Sequence, residues 1–470
     1  LRTLRGLARL FSLIFGLAVL AFAAWAMAKD AKHASGIAAF TVLAVIGLAL
    51  ILAAFLPHRR FVPLSVSLLT LLLPLYVFEG LSAGNIFNDF FSSHDGRSKA
   101  RVIADWRDSG ERAFPAALPS HFLNNQLTVD DRTFLPLSGL PNVLTVLCQE
   151  AEGWVSYHSD RHGFNNPDQA WDVKEQVVIL GDSFVHGACT GPDRIFSGLL
   201  RKRFSGTLNL GMSDNGPLLM LATLMEYLPL TSPKAVVWSY YDGNDIYRRD
   251  GVGPWRGDLE REWALPTLRD YLEHGRVQGL AQAEPQWTAC MRDHLEITLS
   301  TQLVASSDGW LAAQEWDSLR RHMSLQSTFS VLRTAMTGPS VDGLSRREAE
   351  RLQRDAPGIN KDLRLFTLIL ASAHQRIVER NARAVFLYLP SIENFTRPSG
   401  THPLRAQVVA AARQAGFTVI DMEEGFRSLG KPEMNYAFGK RGGHFSILGH
   451  QRVAEALLTE LTRASPEPLR

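Results

Sequence analysis

Four short segments carry residue types suited to acyl-transfer chemistry. Gly181-Asp182-Ser183-Phe184 places a hydroxyl directly after an apolar run at 177–180 and before a helical stretch at 194–203. A serine hydroxyl is a weak nucleophile until a base takes its proton. Gly443-His444-Phe445-Ser446, followed by Gly449 and His450, supplies an imidazole suited to that task. Between them lie Asn209-Leu210-Gly211, whose glycine lets a backbone N–H approach a ligand, and Asp242-Gly243-Asn244-Asp245, which offers a side-chain amide. The chain order is therefore nucleophile, two donors for an oxyanion, and base. Taken alone, Ser183 reads equally well as a helix cap, and Gly211 and Asn244 as turn residues. The ordered set is what argues for a site.

The flanking patterns predict the elements that must position these residues. Val177-Val178-Ile179-Leu180 is a continuous apolar run, as a strand buried on both faces would be. Similar runs occur at 207–210, 235–238, 384–389 and 417–420, alternating with helical spacing at 218–228, 363–378, 406–415 and 447–461. Strands alternating with helices predict an α/β fold with a doubly wound parallel sheet. Ligands of such a sheet bind at the carboxyl ends of its strands, where Ser183, Gly211 and Asn244 fall. Residues 246–358 break the rhythm with helical patches rich in Trp, Arg and Glu, and read as an insertion or lid. Residues 81–150 read as a connector packed on a catalytic domain at 151–470.

The set resembles the SGNH (GDSL-like) hydrolase and acyltransferase superfamily, whose four blocks contribute Ser, Gly, Asn and His. The likeness covers about residues 177–455, with 246–358 unmatched. It implies a flavodoxin-like three-layer domain that works without metal or cofactor. Ser183 would be the nucleophile and His444 the general base. The N–H groups of Ser183 and Gly211 and the amide of Asn244 would form the oxyanion hole. Asp182 and Asp245, beside the nucleophile and the amide, are candidate supporting residues.

Two departures stand out. The family's third block carries Gly two residues before Asn, where this chain has Asp242. Its fourth block carries Asp three residues before His, where this chain has Arg441. An orienting carboxylate fixes the imidazole tautomer and steadies the imidazolium. Asp421, at the end of the last strand, or a backbone carbonyl is the expected substitute, and a Ser–His dyad is the alternative. Plainer readings hold elsewhere. His186 is expected to take no direct part, and His450 to be structural. The segment 157–166 is either the mouth of the site or a surface loop. Trp255, Trp263, Trp287, Trp310 and Trp316 are mostly packing, and Arg346, Arg347, Arg351 and Arg354 a solvated helix face.

The 470 residues carry a net charge of +2 and no basic stripe, which gives no reason to expect a nucleic-acid partner. Apolar runs at 10–28, 37–56 and 61–78 are each near the roughly 20 residues that cross a bilayer. Arg2, Arg5 and Arg9 before the first run, and Arg59 and Arg60 between the second and third, put those ends in the cytoplasm. Everything after residue 80 is then expected outside the cytoplasmic membrane, on the periplasmic side. That holds even if cleavage at Ala26-Met27-Ala28 removes the first run as a signal peptide. The three cysteines allow one disulfide, and Cys148–Cys189 is the expected pair. Three such spans before an SGNH-like domain are similar to bacterial proteins of polysaccharide O-acetylation or deacetylation. The resemblance implies a small acyl group, such as acetyl, a cell-envelope or exported carbohydrate substrate, and other polysaccharide-assembly proteins as partners. The competing expectation is a carbohydrate-binding scaffold that kept the fold and lost the acid. A transporter is disfavoured by the lack of charge within the spans.

Overall fold

The computed structural model describes residue 95 and residues 97–463, apart from 151–152, 250–253, 308–345, 398–399, 429 and 440–441, with a few residues between 10 and 55. The apolar runs at 10–28, 37–56 and 61–78 lie almost wholly outside the described residues. Among the described residues no helix is long and apolar enough to cross a membrane. The chain divides into two units, and the one that carries the candidate residues comprises Ser93–Ser307 and Ser340–Arg470.

The centre of this unit is a five-stranded parallel sheet. Its strands are β6 (Gln176–Leu180), β7 (Thr207–Asn209), β8 (Pro233–Tyr241), β9 (Arg383–Leu389) and β10 (Thr418–Asp421). They lie side by side in the order β7-β6-β8-β9-β10, with every neighbouring pair parallel. This is the flavodoxin-like order, in which the chain reverses direction across the sheet after the second strand. Alternate side chains explain why the strands read as unbroken apolar runs. Val178, Leu180, Val236 and Trp238 pack in one core with α4 (Pro217–Tyr227), α8 (Arg346–Val378) and α10 (Arg405–Gln414). Val177, Ile179, Ala235 and Val237 pack in a second core with α3 (Phe196–Arg201) and α12 (Ile447–Thr462). The result is three layers, helices on both faces of a sheet.

Two segments differ from the sequence reading. A boundary at 150/151 falls inside a hairpin: β4 (Leu144–Glu150) pairs antiparallel with β5 (Gly153–His158). With β1 (Ala113–Pro115) they form a second, three-stranded sheet, order β1-β4-β5. From Ser93 onward the expected connector is thus part of the same unit as the parallel sheet. The described part of the 246–358 segment is helical, with α5 (Asp258–Trp263), α6 (Pro266–Glu273) and α7 (Glu284–Ser307) before α8. It does not sit as a lid. Leu259, Leu268, Trp287 and Met291 belong to the first core. Glu262 accepts the backbone N–H groups of Gly216, Leu218 and Leu219, which closes the start of α4. Burial pushes the Glu262 carboxyl up to about 8.

Candidate active site

The tight turn after β6 sets the candidate nucleophile. Asp182, not Ser183, is the cap of the short helix α2 (Ser183–His186), its Oδ1 accepting the Phe184 N–H at 3.0 Å. The capping explanation of Ser183 is therefore displaced. Ser183 is the first helical residue, so its own N–H has no partner within the helix. Its Oγ lies 2.9 Å from His444 Nε2. His444 comes from the loop before α12, held by an Ala437 N–H to His444 C=O bond of 2.8 Å and by the isolated bridge between Tyr436 and Phe445. Phe184 packs on the imidazole with ring centroids 5.1 Å apart, and Phe445 packs on Phe184 at 4.6 Å.

The third member is Glu150, the last residue of β4. Its Oε1 lies 2.6 Å from His444 Nδ1, and its Oε2 accepts the His444 backbone N–H at 3.2 Å. This bidentate grip fixes the imidazole so that Nδ1 carries the proton and Nε2 faces Ser183 with a lone pair. Gly443 makes the approach feasible. Its φ is +82°, and a Cβ there would lie 2.8 Å from the Phe438 ring and 3.3 Å from Glu150 Oε2. Glu150 and His444 are mostly covered, with side-chain exposures of 15% and 28%. The expected orienting carboxylate, Asp421, is instead spent elsewhere. It caps α11 (Met422–Arg427) through Glu423 N–H and pairs with Arg405 at 2.6 Å. Both ring nitrogens of His444 are engaged by Ser183 and Glu150, so neither Asp421 nor a carbonyl is called for. Arg441 lies outside the described residues.

A disulfide between Cys148 and Cys189, with Cα atoms 5.1 Å apart, ties β4 to the loop just after α2. Glu150 is two residues beyond Cys148 on the same strand. The pairing expected from the sequence was thus the one local signal pointing to the neighbourhood of the acid. Cys290 is the remaining thiol.

Gly211 packs against α2 so closely that a Cβ would lie 2.8 Å from the His186 backbone nitrogen. Its N–H donates to the Asn209 side chain at 2.9 Å, while the Asn209 amide donates to Val185 C=O at 2.6 Å. Asn209 thereby couples the second strand end to the nucleophile helix, and the Gly211 N–H is engaged in this state. Asn244 follows β8, its backbone carbonyl accepting the Asp258 N–H at 2.8 Å and its Oδ1 without a partner. Asp242 is not a substitute for chemistry but an anchor. It is fully buried and accepts from Tyr388, Ser391 and Asn394, each at 2.6 Å. Burial raises it to about 6 despite those bonds. Asp182 is raised to about 7, chiefly by burial, although the nearby His444 works the other way. Asp245, beside Asn244, is raised well above the usual carboxylate range by burial and by Asp182 and Asp258.

The remaining candidates support the nucleophile turn. His186 is fully buried, with Nε2 against Tyr157 Oη at 2.8 Å and Nδ1 accepting the Ser213 N–H at 3.2 Å. Burial lowers it to about 3, so it is neutral. The 157–166 segment is not a free loop. Asn165 donates to His186 C=O at 3.0 Å, and Asn166 brackets the Asn209 backbone on both sides. His450 lies buried in α12, its Nδ1 accepting the Phe196 N–H. No family model matches the chain, and no curated protein matches it in sequence.

Proposed function

We propose that the chain is a serine esterase or O-acyltransferase of SGNH type, working through a covalent acyl-enzyme on a carbohydrate ester. The observation that carries this is the unbroken line from Glu150 through His444 to Ser183, with heavy-atom distances of 2.6 and 2.9 Å. Ser183 Oγ attacks the ester carbonyl as His444 Nε2 takes its proton. The Ser183 N–H and the Asn244 amide stabilise the oxyanion, joined by the Gly211 N–H if it leaves Asn209. The intermediate collapses, the C–O bond to the leaving alcohol breaks, and His444 returns the proton to that oxygen. Water on the acyl-enzyme gives hydrolysis; a sugar hydroxyl gives acyl transfer. The acetyl group, the cell-envelope or exported glycan and the partnership with polysaccharide-assembly proteins rest on family likeness alone, a weaker warrant than the site.

The apolar runs before residue 80 and their arginine clusters support an inner-membrane anchor with the catalytic unit on the outer, periplasmic side. A phosphatase fused to the C-terminus is then active, and an inactive phosphatase ends the topology proposal. The chemistry is tested with a fluorophosphonate probe on the purified chain. Labelling that disappears in Ser183→Ala supports the enzyme. A wild-type chain that takes no label favours a scaffold.

A further inference from the structure

A disulfide lies against the acid–base pair itself. One ligand atom each from Glu150, Cys189 and His444 lies within 4.8 Å of the other two. Cys148, bonded to Cys189, brings a second sulfur to the same place. Of the His444 nitrogens, Nε2 faces Ser183 at 2.9 Å and Nδ1 faces Glu150 at 2.6 Å, so Nδ1 is the donor turned to this group. Two sulfurs, one imidazole and one carboxylate form a donor set that suits zinc and not the hard, oxygen-seeking cations. A tetrahedral zinc site has donors about 3.3–3.8 Å apart, so the Glu150, Cys189 and His444 donors must draw together from separations of up to 4.8 Å, while the two sulfurs must move apart once their bond is broken. In the oxidised chain neither sulfur is a thiolate, and the set is incomplete.

We propose that the Cys148–Cys189 disulfide masks a zinc site, and that its reduction lets Zn²⁺ bind Cys148, Cys189, Glu150 and His444 Nδ1 and silence the triad. The reductant is a dithiol, which gives two electrons and two protons to the disulfide and becomes a disulfide itself. Zinc then displaces the two cysteine protons to solvent. On His444 the ring's one proton moves from Nδ1 to Nε2, and the metal takes the Nδ1 lone pair that this frees. That nitrogen no longer has a lone pair for the Ser183 proton, and Glu150 is withdrawn from orienting the ring. The inference uses the geometry of the proposed triad, but zinc binding is read without turnover, so the two stand or fall separately.

The experiment uses the full-length chain, oxidised or reduced with a phosphine, which breaks the disulfide without chelating zinc as a dithiol would. Bound zinc is measured after removal of free metal. The expected result is one zinc per reduced chain and none per oxidised chain. Cobalt(II) in its place shows a thiolate-to-metal charge-transfer band. Alkylating the reduced thiols before adding metal removes the zinc, and so does the Cys148→Ser/Cys189→Ser double variant, while Cys290→Ser retains it. Alkylation of the wild type keeps the test sharp if the double variant fails to fold. Equal zinc in reduced and oxidised chains, or zinc that survives alkylation, overturns the proposal. An oxidised chain that never labels with the fluorophosphonate but binds zinc on reduction defeats the esterase reading and leaves the zinc site standing.

Discussion

The two halves of the candidate site are built by different logic. The nucleophile, the glycine and the amide come from the carboxyl ends of β6, β7 and β8, successive strands of one parallel sheet. Each is fixed by the turn that ends its own strand, so type, spacing and chain order are visible locally. The acid comes from β4, in a separate three-stranded sheet, and reaches His444 across 294 residues of sequence. Nothing about Glu150 is local except the cysteine two residues before it. The proposed triad thus places its most easily read parts on the regular geometry of a strand end and its least easily read part on a tertiary contact.

The comparison breaks first at the nucleophile. Ser183→Ala and His444→Ala are each expected to lower turnover of a small ester by about a million-fold, since the two act as a unit. Esterase activity retained in either purified variant refutes the mechanism. For Ser183→Ala the effect is chemical, so the unfolding midpoint should barely move, whereas His444→Ala also strips the partner from Glu150 and the packing on Phe184.

A smaller effect sharpens the electrostatics on the sheet side. Asp182 carries its ordinary value of 3.8 when unfolded and about 7 when folded. Between those values the folded state holds more protons than the unfolded state, so stability falls as pH rises through this window. Asp182→Asn keeps the cap to Phe184 and removes the ionisation. Its unfolding free energy should lose that slope and exceed the wild type's above neutral pH, by at most roughly 4 kcal/mol. A wild-type midpoint that climbs over the same range contradicts the burial argument.

The smallest effect belongs to Arg441, which stands where the SGNH enzymes that the chain is proposed to resemble carry their acid. With Glu150 in that role, Arg441→Ala should change turnover of a small neutral ester by no more than about five-fold, or 1 kcal/mol of barrier. A charged natural substrate would suffer more. A hundred-fold loss on the neutral ester would put Arg441 in the machinery.

What was legible in the sequence follows the same division. The parallel sheet was readable because strands buried on both faces become unbroken apolar runs, as at 177–180. Ser183 and His444 were readable because glycines and a strand end mark their turns. Asp421 drew attention for the same reason, a carboxylate at a strand end, yet Arg405 and the start of α11 account for it. The helical segment after residue 246 reads as an insertion or lid because charge and tryptophan stand out in its composition. Its alternate apolar positions, such as Leu268 and Trp287, are core, and Glu262 is consumed by three backbone N–H groups that no local pattern announces. Asp242 stands where a glycine is expected, whereas its three partners come from β9, the turn that follows it and the short helix Glu393–Thr396.

The central claim is that Glu150, and not Asp421, orients His444. The most direct measurement compares turnover of a small neutral ester by Glu150→Gln and Asp421→Asn at equal protein folding. Glu150→Gln keeps the shape and removes the charge that holds the Nδ1 tautomer, a change worth about ten-thousand-fold in a triad of this kind. Asp421→Asn should stay within about five-fold, 1 kcal/mol of barrier. A Glu150→Gln variant of near wild-type activity beside a crippled Asp421→Asn would contradict the account.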